Sequence, residues 1–137
     1  MFKRIMVPVD LTHADKIEKA LGVAGDLAAH YGATLVYVGV TAPAPSPVAH
    51  TPEEYGKKLA NFAADKGIAH GVAAESRAYT SHDPAIDLDE TLLKAVAETG
   101  ADLVVMASHI PNVADYIWPS NGGAVATHAD VTVMVVR

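Results

Sequence analysis

Leu103-Val-Val-Met106 is four apolar residues in a row, two of them β-branched, with no polar residue alternating between them. A strand with one wet face needs a period of two. A run this uniform suits a strand buried on both faces, as in a parallel sheet covered by helices. Ile5, Met6 and Val7 repeat the pattern near the start, and residues 33–40 are again almost wholly apolar. Three such runs limit the chain to a layered α/β architecture, and the carboxyl ends of its central strands should open into a crevice.

The segments between these runs carry helix signals. After a first strand over residues 2–9, closed by Pro8 and Asp10, Thr12 reads as an N-cap with Asp15 three residues on. Ala14, Ile17, Leu21, Ala24, Leu27, Ala28 and Tyr31 then recur at helical spacing for about five turns, and Gly32 supplies a left-handed stop. The proline-rich residues 41–50 cannot continue the sheet. They are expected to run extended over the surface, as a connector rather than a pocket cover.

Thr51-Pro-Glu-Glu54 combines a cap, a proline at the first helical position and an acid at the third. Tyr55, Leu59, Phe62 and Ala63 form the apolar stripe of that helix, with Gly67 as its expected end. Residues 71–79 make a weak strand carrying Glu75 and Arg77, suited to a sheet edge. Residues 80–87 read as a loop, and Leu88, Leu92, Ala95 and Val96 mark a helix stopped by Gly100. A weak helical run over 124–129 follows Ser120 and Asn121, and a final strand spans 131–136. The alternation of strands and helices predicts one domain over residues 1–137: a doubly wound, five-stranded parallel sheet in the order 3-2-1-4-5, with helices on both faces.

Composition removes several classes of function. The chain has 137 residues, 50% of them hydrophobic and 19% charged, with a net charge of −6. Its ten basic residues are scattered, whereas a grip on nucleic acid needs them clustered. There is no cysteine, hence no disulfide, no thiolate nucleophile and no thiolate metal ligand. No run approaches the ~20 apolar residues of a membrane span, and a cytoplasmic location is expected.

In the 3-2-1-4-5 order the winding reverses between strands 1 and 4, which is where open α/β sheets take their ligands. An acid there, Asp10, can accept from a ribose hydroxyl, although capping the next helix is an equally ordinary task for it. The backbone around Val38 and Gly39 can pair with a base edge. Met106 and Ala107 end strand 4 at the same crevice, and the turn Ser120-Asn121-Gly122 can offer N–H groups to phosphates. His109 either contacts a ligand or satisfies backbone groups of its loop. The acids Asp83, Asp87, Asp89 and Glu90 do not match an EF-hand and suit a helix's first turn on dipole grounds, so they are not read as a metal site. No nucleophile elbow, Walker lysine loop or G-x-G-x-x-G follows a strand, which argues against an enzyme.

Val7-Pro8-Val9-Asp10, Ala107-Ser108-His109 with Pro111, Tyr116, Ser120-Asn121 and the ending from Thr127 to Arg137, taken with the order of elements, resemble the universal stress protein family, UspA-like, over essentially the whole chain. More narrowly they are similar to its F/G-type, nucleotide-binding branch. The resemblance implies an adenine nucleotide alpha hydrolase-like fold, a regulatory or stress-response role and an ATP or AMP ligand, with the requirement for magnesium left open. It places Pro8, Val9 and Asp10 against adenosine and Ala107, His109, Ser120 and Asn121 along the phosphate path. It further implies a homodimer through the last strand, residues 131–136, and a regulatory protein partner. The alternatives are a nucleotide-free dimer acting through protein contacts and, last, a slow ATPase.

Two positions depart from the branch pattern. Ile110 replaces an arginine, which removes a charge beside the phosphates, and Pro119 replaces a glycine, which removes a backbone donor. Both losses fall on the phosphate side.

Overall fold

The computed structural model describes residues 1–108 and 121–137. Five parallel strands, β1 (Arg4–Pro8), β2 (Thr34–Thr41), β3 (Ala74–Thr80), β4 (Leu103–Ala107) and β5 (Thr132–Val136), form one sheet in the order β3-β2-β1-β4-β5. This is the expected order. Between them run α1 (Glu18–Tyr31), α2 (Pro52–His70), α3 (Pro84–Thr99) and α4 (Asn121–His128). Helix α1 packs on α2 and α3 on α4. With right-handed crossovers the two pairs cover opposite faces of the sheet.

The uniform apolar runs are buried as their pattern requires. Ile5 and Met6 of β1, Leu35 to Val38 of β2 and Leu103 to Met106 of β4 have no exposed surface. Each enclosed side chain of this size contributes roughly 1.5–3 kcal/mol relative to leaving it in water. At the amino ends of the strands, Asp102 accepts from the backbone N–H groups of Lys3 and Arg4 at 2.8 and 3.1 Å, and the Arg4 guanidinium donates to the Thr99 carbonyl at 2.7 Å and to Glu75. The turn from α3 into β4 is thereby fastened to the start of β1.

Several boundaries differ from the sequence reading. Thr12 does not cap α1. Asp10 caps a separate 3₁₀ helix, Leu11–Lys16, and α1 starts only at Glu18 without a side-chain cap. Gly67 does not end α2, which runs to His70 and stops at Gly71 in the left-handed conformation (φ +67°). Gly67 is instead a point of close approach, where an added Cβ would lie 3.0 Å from the Ala74 Cβ. Helix α3 begins at Pro84 rather than after Asp87, since Pro84 is pre-shaped for a first turn. Helix α4 begins at Asn121, three residues before its apolar run.

The proline-rich loop is not simply extended. Ser46 N–H donates to the Ala49 carbonyl at 2.8 Å, the Ser46 hydroxyl accepts from the N–H groups of Val48 and Ala49, and Lys58 of α2 donates to the Val48 carbonyl. Among the described residues no helix is long and apolar enough to cross a membrane.

Candidate functional site

Strands β1 and β4 are in register over Ile5↔Leu103 and Met6↔Val104, and beyond that pair they part. The gap opens at their carboxyl ends. Pro8 and Val9 form its β1 wall, both buried, and Met106 and Ala107 its β4 wall. Met106 is wholly enclosed, so it shapes the wall without presenting a polar group; Ala107 is 9% exposed. Ser108 N–H is spent on the Val136 carbonyl of β5 at 2.8 Å.

Asp10 leaves β1 directly into this gap and is 8% exposed. Its Oδ1 accepts from Thr12 N–H at 3.0 Å, and its Oδ2 lies 2.9 Å from His13 Nδ1. An ionised carboxylate only accepts, and it offers about four lone-pair sites. The cap and the imidazole each use one site, one on either oxygen, so each oxygen keeps acceptor capacity. Capping and ligand contact are therefore compatible in one side chain.

The β2 backbone divides by parity. Thr34 N–H bonds Lys3 and the Val38 carbonyl accepts from Val9 N–H at 2.8 Å, so even-numbered residues face β1. Leu35 N–H bonds Ala73 and the Thr41 carbonyl accepts from Ser81, so odd-numbered residues face β3. Val38 is thus engaged by β1, and Gly39 turns its peptide edge toward β3. Val40, two residues past the last β1–β2 pair Pro8↔Val38 and of the same parity as Val38, directs its N–H and C=O toward the gap. Sequence reasoning missed Val40 because only the hydrogen-bond phase, not residue type, marks it.

Tyr55 of α2 stands over Gly39, where an added Cβ would lie 2.2 Å from its hydroxyl oxygen. Burial and the nearby Asp10 charge push the Tyr55 phenol well above its usual range. It is 5% exposed and walls the α2 side of the gap.

Asn121 and Gly122 are the first two residues of α4, while His109, Ile110, Tyr116, Pro119 and Ser120 lie outside the described residues. A depression of about 500 Å³ at the carboxyl end of β3, lined by Ser81, Asp87, Glu90 and Lys94 among others, lies away from the gap. There Asp87 accepts from the Ser81 hydroxyl at 3.0 Å. Among the described residues no three acids or histidines converge to hold a metal ion.

The model of the universal stress protein family matches residues 1–137. A curated relative, universal stress protein G of Shigella flexneri, is 27% identical, with the whole of each chain covered. A solved structure of a universal stress protein family member from Burkholderia pseudomallei superposes with a TM-score of 0.71 at 26% identity, covering 98% of this chain and 95% of that one. Another, a universal stress protein in complex with cAMP, gives a TM-score of 0.70 at 21% identity over 99% and 97% of the two chains.

Proposed function

The chain belongs to the universal stress protein family, and from that membership we propose that it binds an adenine nucleotide, AMP or ATP, in the gap between β1 and β4. In this reading it is a cytoplasmic, single-domain stress-response module that dimerises through β5 and acts on a regulatory protein partner. The observation that carries the reading is the buried, doubly held carboxylate of Asp10 at the point where the sheet's winding reverses. Asp10 accepts from the ribose hydroxyls, and the peptide edge of Val40 pairs with the base. Pro8, Val9, Met106 and Ala107 wall the nucleoside. His109, Ser120, Asn121 and Gly122 line the phosphate path. A neighbour of the same fold holding cAMP supports an adenine ligand.

Ile110 and Pro119 remove a cation and a donor from the phosphate side and leave the nucleoside side intact. AMP and ATP should therefore bind with similar affinity, within about threefold, or less than 1 kcal/mol. Titration calorimetry with both nucleotides tests this, with Asp10→Ala as the weakened variant. Absence of heat and of any thermal shift at millimolar AMP and ATP, with the protein folded, would overturn the reading in favour of a module working through protein contacts alone. A strong preference for ATP would refute the assignment of the phosphate path.

A further inference from the structure

We infer that His13 is a positioning residue of the nucleotide site: its imidazole fixes the Asp10 carboxylate in the orientation that receives the ribose. This inference rests on the adenine-nucleotide reading and adds a residue to it. His13 is on the 3₁₀ helix that Asp10 itself caps, three residues on, and the two side chains are 13% and 7% exposed. The 2.9 Å contact joins Nδ1 to Oδ2. Because the carboxylate accepts, Nδ1 carries the hydrogen, which fixes the ring's role as a donor at this contact.

The geometry constrains Asp10 from both sides. Thr12 N–H holds Oδ1 and His13 holds Oδ2, so rotation about the Cβ–Cγ bond breaks both contacts at once. A carboxylate held by one donor can swing about that donor. One held by two keeps its remaining lone pairs aimed in a fixed direction. A ligand hydroxyl then meets an acceptor already in place, without first ordering it. The 3₁₀ helix is what makes this possible. It carries His13, whose φ of −122° and ψ of 27° are not helical, back over the residue that starts the turn. A regular α-helix from Thr12 would have the first-turn geometry of a simple cap.

A double-mutant cycle tests the inference, with AMP affinity measured by calorimetry for wild type, His13→Ala, Asp10→Asn and the double variant. His13→Ala is expected to weaken AMP about five- to tenfold, the scale of one ordinary hydrogen bond, because His13 acts on the ligand only through Asp10. It should have little further effect once Asp10 is Asn, because nothing charged remains to be oriented. His13→Asn, whose amide nitrogen sits where Nδ1 does, should recover most of the affinity, whereas a merely space-filling role would be rescued equally by His13→Leu. Thermal melts of all variants confirm that each is folded. Equal losses in the two Asp10 backgrounds, or rescue by His13→Leu as full as by His13→Asn, would overturn the positioning role while leaving nucleotide binding intact. Failure of the wild type to bind AMP overturns both.

Discussion

Tyr55 and Gly39 occupy one space: a Cβ on Gly39 would sit 2.2 Å from the tyrosine hydroxyl oxygen and 3.0 Å from two of its ring carbons. The glycine is needed for close approach rather than for backbone freedom. Gly39→Ala should therefore displace the ring of Tyr55, at a cost of about 1–3 kcal/mol typical of overpacking. Trimming the hydroxyl with Tyr55→Phe should recover part of that loss, because the remaining contacts are near 3.0 Å rather than 2.2 Å. Denaturant melts of the two single variants and the double variant check this. Additive losses would show that the two residues do not compete.

Tyr37 makes a different demand on the same face of the sheet. Its ring stacks edge-on against Phe62, with centroids 5.3 Å apart, yet its buried hydroxyl finds no hydrogen-bond partner among the described residues. Tyr37→Phe should raise stability at neutral pH by about 1 kcal/mol, or about 3–5 °C in Tm. Burial also pushes the Tyr37 phenol up to about 12 from an ordinary 10.0. A raised folded-state value means that the contribution is whole below pH 10 and is lost as pH rises toward 12. Wild type should lose stability over that interval more steeply than Tyr37→Phe, which keeps the contribution of Tyr55. Parallel slopes would contradict the burial of the phenol.

At the opposite end of the sheet the sign reverses. The hydrogen bond from Arg4, at 2.8 Å, holds the Glu75 carboxyl below the usual carboxylate range. A depressed value gives stability that is present above the ordinary carboxylate pKa and lost as pH falls through the folded one. Because both partners are partly exposed, the pair is worth no more than ~0.5 kcal/mol. Glu75→Gln should thus change little at pH 7 and flatten the acid limb of the stability curve. Arg4→Ala should cost more, about 1–2 kcal/mol, since the Thr99 carbonyl also loses its donor. Equal losses for the two variants at pH 7 would assign the effect to the ion pair instead.

What the sequence disclosed follows from what kind of force places each part. Leu103 to Met106 and Leu35 to Val38 are positioned by burial, which leaves a periodic trace in residue type, so strand order and layers were legible. Gly71 and Gly67 look alike in sequence, yet Gly71 takes the left-handed stop while Gly67 stays helical and meets Ala74, a distinction that residue type alone does not make. The edge of Val40 is set by the phase of its neighbours' hydrogen bonds, which residue type does not encode. The Asp10–His13 contact needed the 3₁₀ helix, and a capping signal at Thr12 concealed it.

Strand β5 is the basis of the last prediction, the homodimer. It lies at the end of the sheet, paired with β4 from Leu103↔Thr132 to Ala107↔Val136, and its outer edge carries Met134 at 38% and Val135 at 41% exposure. The Val136 carbonyl accepts from Ser108, so even-numbered residues of β5 serve β4 and the N–H groups of Val133 and Val135 point outward. An apolar edge with outward donors and no internal charge or proline is one that monomers rarely leave open. A two-fold related copy can pair with it antiparallel and cover the valines. The proline-rich loop is tied by Lys58 to α2, which packs on β2 and β3 toward the other edge of the sheet, and the other within-chain cover, residues 110–118, lies outside the described residues. Light scattering at micromolar concentration should therefore give twice 14.3 kDa. Val135→Pro removes an outward N–H without touching the β4 ladder, so it should halve the mass while leaving the fold intact by circular dichroism. A 14.3 kDa wild-type species, or a dimer that survives Val135→Pro, would place the interface elsewhere or nowhere.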